Sequence, residues 1–121
     1  MNNGKMIFVV DDDNDVLESM KLILESEGYL VETAVDGKML AKKLESTIPD
    51  MIILDYRLPG ENGTEIATNL KKNNETKGIP LIMVSSHDVG ILAKRIGFSD
   101  FFEKPFDIDT LVTTVQRHLP V

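Results

Sequence analysis

The sequence predicts an α/β domain with a doubly wound parallel sheet covered by helices on both faces. Three short runs are apolar at nearly every position, which suits strands that are buried on both sides. Amphipathic patterns with apolar residues three and four positions apart alternate with these runs. Such an alternation is typical of a doubly wound fold. With 121 residues, the chain has the length of one domain.

Five strands are expected, three of them strongly apolar. The strongly apolar runs are Met6–Val10, 51–54 and 81–84. Two weaker candidates, Leu30–Ala34 and 101–103, complete the alternation. We therefore expect a five-stranded sheet, with the order 2-1-3-4-5 of the flavodoxin-like folds if the first and third strands are central neighbours.

Five helices are expected between and after these strands. Four of them have one apolar stripe each, and the stripes comprise Val16, Met20, Ile23 and Leu24; Leu40 and Leu44; Ile66 and Leu70; and Ile108, Leu111, Val112, Val115 and Leu119. One residue of 13–15 is expected to cap the first helix, and Asp107 the last. Gly28 and Gly37 are expected to mark turns, and 73–78 a surface loop.

Composition excludes several functional classes. Without cysteine, the chain has neither disulfides nor thiolate metal sites. The first apolar run is only five residues long and is followed by three aspartates, which argues against a signal peptide or a membrane span and favours a cytoplasmic location. A net charge of −7 disfavours direct binding to nucleic acid or to an anionic membrane. We expect one unit over residues 1–121, with no output domain.

Polar residues follow the strands at the positions where such a fold binds its ligands. Asp11 and Asp12 follow the first apolar run, Asp55 ends the second, Ser85 ends the third, and Lys104 follows the last weak strand. Ligands of open α/β sheets bind beyond the carboxyl ends of the strands. Three carboxylates are therefore expected to converge on one crevice.

Converging carboxylates repel one another unless a cation holds them together. An acidic, all-oxygen cluster that stays open to water suits Mg²⁺ better than Ca²⁺ or a transition metal. A metal there neutralises the oxygens of an incoming phosphoryl group, so that a carboxylate can attack phosphorus. Lys104 supplies a second positive charge and Ser85 a hydroxyl donor, which are the elements that phosphoryl transfer requires.

Each of these residues alone is also compatible with an ordinary structural role. Asp11 and Asp12 can cap a helix, Asp55 can belong to a turn, and Lys104 can be a surface lysine. Two other functions stay open. A haloacid-dehalogenase-type phosphohydrolase requires a second acid two residues after its nucleophile, where this chain has Arg57. A binding module of the same fold that is never phosphorylated would not require the complete set of site residues found here.

The motifs together resemble the receiver domains of response regulators, whose simplest member is the chemotaxis response regulator. The resemblance runs from about Met6 to Leu119. It rests on four segments, which are residues 9–12, residues 52–60 with Gly63, residues 79–86, and residues 104–106.

The resemblance implies a role for each site residue. Asp55 resembles the phosphoacceptor, and Asp12 and Asp55 resemble direct Mg²⁺ ligands, completed by the backbone carbonyl of Arg57. Asp11 resembles the acid that acts through a water molecule, and Lys104 the lysine that pairs with the phosphoryl group.

The switch of the family is also implied. Ser85 resembles the hydroxyl residue that binds the phosphoryl group, and Phe101 the aromatic residue that changes rotamer with it. The Lys104–Pro105 bond is expected to be cis.

The resemblance further implies a two-component switch, not an enzyme acting on other molecules. A histidine kinase or histidine phosphotransfer protein is the expected donor, and a downstream protein is the expected target. The chain is expected to be a monomer or a weak phosphorylation-dependent dimer.

The segment from Ser85 to Gly97 is shorter than usual for the family, so the fourth helix is expected to be short. Arg57 and His87 lie two residues beyond Asp55 and Ser85, and we expect them to overhang the phosphoryl group and to prolong its lifetime; the alternative is that both side chains point into solvent.

Overall fold

The structure is a computed structural model that describes residues 4–58, 60–86 and 90–120. Its central sheet is parallel and has the order β2-β1-β3-β6-β7. The strands are β1 (Met6–Val10), β2 (Leu30–Ala34), β3 (Met51–Asp55), β6 (Leu81–Ser85) and β7 (Asp100–Glu103). If only the five strands of this sheet are numbered, β6 and β7 become the fourth and fifth, and the order is the predicted 2-1-3-4-5. The predicted fold class is therefore confirmed.

Helices cover both faces of the sheet. They are α1 (Asn14–Ser26), α2 (Gly37–Leu44), α3 (Gly63–Lys72), α4 (Gly90–Ile96) and α5 (Ile108–His118). The fourth helix has only 7 residues, as the shortened segment predicted. No helix among the described residues is both long and apolar enough to cross a membrane.

Alternation along the strands divides the core into two layers. Ile7 and Val9 of β1 pack with apolar residues of α1 and α5 on one face. Phe8 and Val10 pack with α2, α3 and α4 on the other. Every residue of β3 is buried. Both faces of the sheet are therefore covered, which explains why β3 reads as a continuous apolar run.

Side-chain caps define the starts of the helices. Asp13 caps α1 by accepting from the backbone N–H groups of Asp15 and Val16, and Asp107 caps α5 as predicted. Gly37 differs from its prediction, because it is the first residue of α2 and not a turn outside it. The side chain of Asp36 caps α2, so the helix begins at Gly37.

A small antiparallel hairpin follows β3 and was not predicted. It pairs β4 (Arg57–Leu58) with β5 (Glu61–Asn62). Two residues per strand are too few for the alternation on which strand prediction depends. The hairpin leads from the end of β3 directly into α3 and thus borders the candidate site.

Candidate functional site

The carboxyl ends of β1 and β3 bring three aspartates together. One carboxylate oxygen from each of Asp11, Asp12 and Asp55 lies within 4.8 Å of the other two. β1 and β3 are parallel neighbours, with Val10 opposite Leu54. The next residues of the two segments, Asp11 and Asp55, therefore lie side by side. Asp11 and Asp55 are buried, whereas Asp12 is exposed.

Lys104 connects the two buried carboxylates. Its Nζ atom lies 2.8 Å from Oδ2 of Asp11 and 3.2 Å from Oδ2 of Asp55. The backbone N–H of Lys104 donates to the carbonyl of Ser85 at 2.7 Å, and the Lys104–Pro105 peptide bond is cis. The lysine therefore reaches the site from the end of β7, across the end of β6.

The remaining oxygens of the two buried aspartates accept backbone hydrogen bonds. Oδ1 of Asp11 accepts from the N–H of Asp13 at 2.9 Å, and Oδ1 of Asp55 accepts from the N–H of Arg57 at 3.3 Å. These contacts fix both carboxylates against the loops that leave β1 and β3.

The surroundings of Asp55 act on its pKa in opposite directions. Burial raises the pKa of Asp55, and the neighbouring charge of Asp11 raises it further, while the charge and hydrogen bonds of Lys104 and the N–H of Arg57 act against this. Burial alone would lower the pKa of Lys104, but the two carboxylates outweigh it and raise that pKa. The lysine is thus held as a cation, and the site has an excess of negative charge.

The other predicted site residues differ in burial and in the strands that carry them. Ser85 is buried at the end of β6, next to the strand that carries Asp55. Phe101 is half-buried and packs against the core layer that contains Phe8. The side chain of Arg57 is exposed, with its guanidinium carbon 5.9 Å from the centroid of the Tyr56 ring. His87 lies outside the described residues.

Two residues that border the site were not identified from the sequence. Tyr56 provides the ring beside the Arg57 guanidinium, and Glu61 joins the hairpin to the start of α2 through the N–H of Gly37. Neither residue belongs to an apolar pattern or follows a long strand, so no periodicity singled it out. An aromatic–arginine pair directly after Asp55 was the only available signal for Tyr56.

Comparisons with known proteins agree with this geometry. Residues 7–116 match the family model described as response regulator receiver domain. The chain is 34% identical over 119 residues to the phosphate regulon transcriptional regulatory protein PhoB of Pseudomonas aeruginosa, covering 96% of this chain and 52% of that protein. The chain thus spans about half the length of the curated relatives it matches.

Solved structures extend the similarity to the fold. The chemotaxis response regulator CheY4 of Vibrio cholerae superposes with a TM-score of 0.90 at 28% identity, covering 96% of this chain and 99% of that one. The receiver domain of NtrX from Brucella abortus has a TM-score of 0.86 at 32% identity, with coverages of 93% and 97%.

Proposed function

The chain belongs to the response regulator receiver domain family, and on this premise we propose that Asp55 accepts a phosphoryl group in a Mg²⁺-dependent reaction. As a receiver domain, the chain is a phosphorylation-dependent switch of two-component signalling. The observation that carries the proposal is the contact of Lys104 Nζ with the Asp55 and Asp11 carboxylates, which cluster with the carboxylate of Asp12. This cluster combines a nucleophile, a cation and metal-ligating oxygens.

In the proposed reaction an oxygen of Asp55 attacks the phosphorus of a phosphohistidine on a histidine kinase or phosphotransfer protein. A new phosphorus–oxygen bond forms while the phosphorus–nitrogen bond breaks, and the imidazole nitrogen keeps the electron pair. Lys104 attracts the transferred oxygens, and the hydroxyl of Ser85 donates a hydrogen bond to them. When bound, Mg²⁺ supplies the charge neutralisation that lets two anions approach.

The carboxylate cluster fits Mg²⁺ by spacing and by donor type. Oxygens on opposite sides of an octahedral Mg²⁺ lie about 4 Å apart, and the three carboxylate oxygens here lie within 4.8 Å of one another. All donors are hard oxygens, and the exposure of Asp12 leaves room for water. We propose Asp12, Asp55 and the backbone carbonyl of Arg57 as direct ligands. Asp11 acts through water, which is supported by its contacts to Lys104 and to the N–H of Asp13.

Signalling then depends on a changed surface. We propose that Ser85 and Phe101 relay the phosphorylated state, because the buried hydroxyl and the half-buried ring lie on adjacent strands β6 and β7. The receiver, which catalyses only its own phosphorylation and dephosphorylation, presents this surface to a downstream protein. The same proposal includes a cytoplasmic location and a monomer or weak phosphorylation-dependent dimer. It also includes no direct contact with nucleic acid.

Intact-mass analysis under mild acid tests the phosphoacceptor. After incubation with acetyl phosphate and Mg²⁺, we expect the wild type to gain one phosphoryl group and the Asp55→Asn variant to gain none. Asp109→Asn is a matched control, since Asp109 is an exposed aspartate in the first turn of α5. Equal labelling of Asp55→Asn and wild type would exclude Asp55 as the acceptor.

Isothermal titration with Mg²⁺ alone tests the metal site. Asp12→Ala should abolish measurable binding because it removes a ligand from an already sparse set. Asp15→Ala is the control, because Asp15 is also exposed and lies three residues further along, in the first turn of α1. Unchanged Mg²⁺ affinity in Asp12→Ala would remove Asp12 from the site.

A further inference from the structure

A second concave site lies between α2 and α3, on the face of the sheet that those helices cover. Its volume is about 510 Å³, which is within the range of small-molecule sites, roughly 300–1,000 Å³. Leu40 and Leu44 of α2 face Ile66 and Leu70 of α3 across an apolar floor. We call this site the α2–α3 cavity.

The polar rim of the α2–α3 cavity is acidic. Glu45, Glu61 and Glu75 line it from three separate segments, and no lysine, arginine or histidine is among the described residues that line it. The net charge of the whole chain, −7, has the same sign. An anionic ligand would therefore be repelled, whereas a cation at the rim would be attracted.

The floor and the rim impose different requirements on a ligand. Apolar walls favour an aliphatic or aromatic body, because its transfer from water is favourable in proportion to the area buried. An ammonium group is costly to bury without partners, so it belongs at the rim, where the carboxylates and water remain available. A ligand that meets both requirements is amphipathic and carries its charge at one end.

We propose that the α2–α3 cavity binds a small organic cation of this type, an arylalkylamine or alkylamine. Its apolar body lies between Leu44 and Leu70, and its ammonium group contacts the rim formed by Glu45, Glu61 and Glu75. This binding requires neither Asp55 nor Mg²⁺.

Glu61 places the ligand next to the hairpin that follows Asp55. Its carboxylate accepts from the N–H of Gly37 at 2.5 Å, while its backbone pairs with Leu58 in the hairpin. An ammonium group at this carboxylate competes with the Gly37 N–H for Oε1. The amide resonances of Gly37 and of Leu58 therefore report on an occupied cavity.

Titration of the full, ¹⁵N-labelled, unphosphorylated chain with three indole probes tests the proposal by NMR. Tryptamine carries an ammonium group, tryptophol a neutral hydroxyl in its place, and indole-3-acetate a carboxylate. We expect tryptamine to shift the amides of Ala41, Leu44 and Thr76, which line the cavity. Tryptamine should bind about fivefold more tightly than tryptophol, and indole-3-acetate should not bind measurably.

The double variant Glu45→Gln/Glu75→Gln tests the charge of the rim. Both residues are exposed, so these changes leave the core packing intact. We expect the preference for tryptamine over tryptophol to fall, since Glu61 is then the only carboxylate left among the described residues that line the cavity. Glu18→Gln/Glu25→Gln removes the same total charge from exposed positions on α1 and should keep the preference. Absence of shifts at the lining amides, equal affinities for all three probes, or an unchanged preference in the rim variant would each overturn the proposal. Because no phosphodonor is present, such a result leaves the assignment of Asp55 untouched.

Discussion

The backbone N–H of Gly37 donates to Oε1 of Glu61 at 2.5 Å, which joins the first residue of α2 to the hairpin that follows Asp55. A Cβ atom at position 37 would lie only 2.7 to 3.0 Å from the Glu61 carboxylate. A methyl group at this position would therefore have to displace the end of the Glu61 side chain, which is flexible. The two residues form a contact that either substitution disrupts.

A double-mutant cycle measures this contact. Gly37→Ala in the wild type should lower the free energy of unfolding slightly, because the methyl group displaces the end of the Glu61 side chain. In the Glu61→Ala background the same change should raise that free energy by a few tenths of a kcal/mol, up to about 1 kcal/mol, through helix propensity. We expect a coupling energy of about 1 kcal/mol from urea unfolding. A coupling near zero would show that the contact does not stabilise the fold.

The charges around Lys104 predict opposite effects for two substitutions in the absence of metal. Burial and the neighbouring Asp11 make the charge of Asp55 unfavourable, so Asp55→Asn should raise the free energy of unfolding in EDTA by about 1 kcal/mol. Lys104→Met should lower it by about 2 kcal/mol, because two buried carboxylates lose their cation. Urea unfolding with EDTA and with Mg²⁺ measures both changes.

Added Mg²⁺ should then change the free energy of unfolding of the wild type, Asp55→Asn and Lys104→Met by different amounts. Stabilisation by linkage requires that the metal binds the folded state, so the wild type should gain stability and Asp55→Asn should gain little. Lys104→Met should gain most, because its carboxylates have no other cation. Lower stability of Asp55→Asn than of the wild type in EDTA would contradict the repulsion argument.

The sequence predicted the converging carboxylates because strand ends in a parallel sheet share one edge. Asp11 and Asp55 each follow a strongly apolar run, so their positions depended only on the sheet order. The hairpin and the Gly37–Glu61 contact were not predictable in this way, since they depend on how loops with no periodic pattern pack against a helix. Thr76 is a similar case, because the segment 73–78 was expected at the surface. Thr76 is buried, and its hydroxyl donates to the carbonyl of Leu70 at 2.6 Å.

Asp100 predicts a pH-dependent part of the stability. Its Oδ2 accepts from Arg117 at 2.5 Å and lies 2.9 Å from Nε2 of His118, while its Oδ1 accepts from the N–H of Phe101. Burial alone would raise the pKa of Asp100, but these hydrogen bonds outweigh it and lower that pKa. A carboxylate with a lowered pKa stabilises the folded state above its unfolded pKa, about 3.9, and this stabilisation is lost as the pH falls through the folded pKa.

We therefore expect Asp100→Asn to cost about 1 kcal/mol at about pH 7 and progressively less below about pH 4. Urea unfolding at a series of pH values measures the difference from the wild type. Asp109→Asn is the control for removing a carboxylate from an exposed position, in the first turn of α5. A cost that is independent of pH would assign the effect to packing and not to the charge of Asp100.

The last prediction concerns the lifetime of the phosphorylated state and the side chain of Arg57. Hydrolysis of an aspartyl-phosphate requires a water in line with the bond that breaks, so a side chain above the phosphoryl group limits the approach of that water. Arg57 lies two residues after Asp55, and its guanidinium group lies beside the Tyr56 ring. An arginine so positioned is bulky and can bind two phosphoryl oxygens at once.

Arg57→Asn should therefore speed the loss of the phosphoryl group, measured by intact mass after removal of the phosphodonor. Arg95→Asn, which replaces an exposed arginine of α4, should leave the rate unchanged. Tyr56→Leu should speed the loss less than Arg57→Asn does, because it removes only the ring that supports the guanidinium group. For His87, the sequence-based prediction is a larger effect of His87→Ala at about pH 6 than at about pH 8. Decay rates equal to the wild type in both Arg57→Asn and His87→Ala at both pH values would show that neither side chain limits access of water to the phosphorylated Asp55.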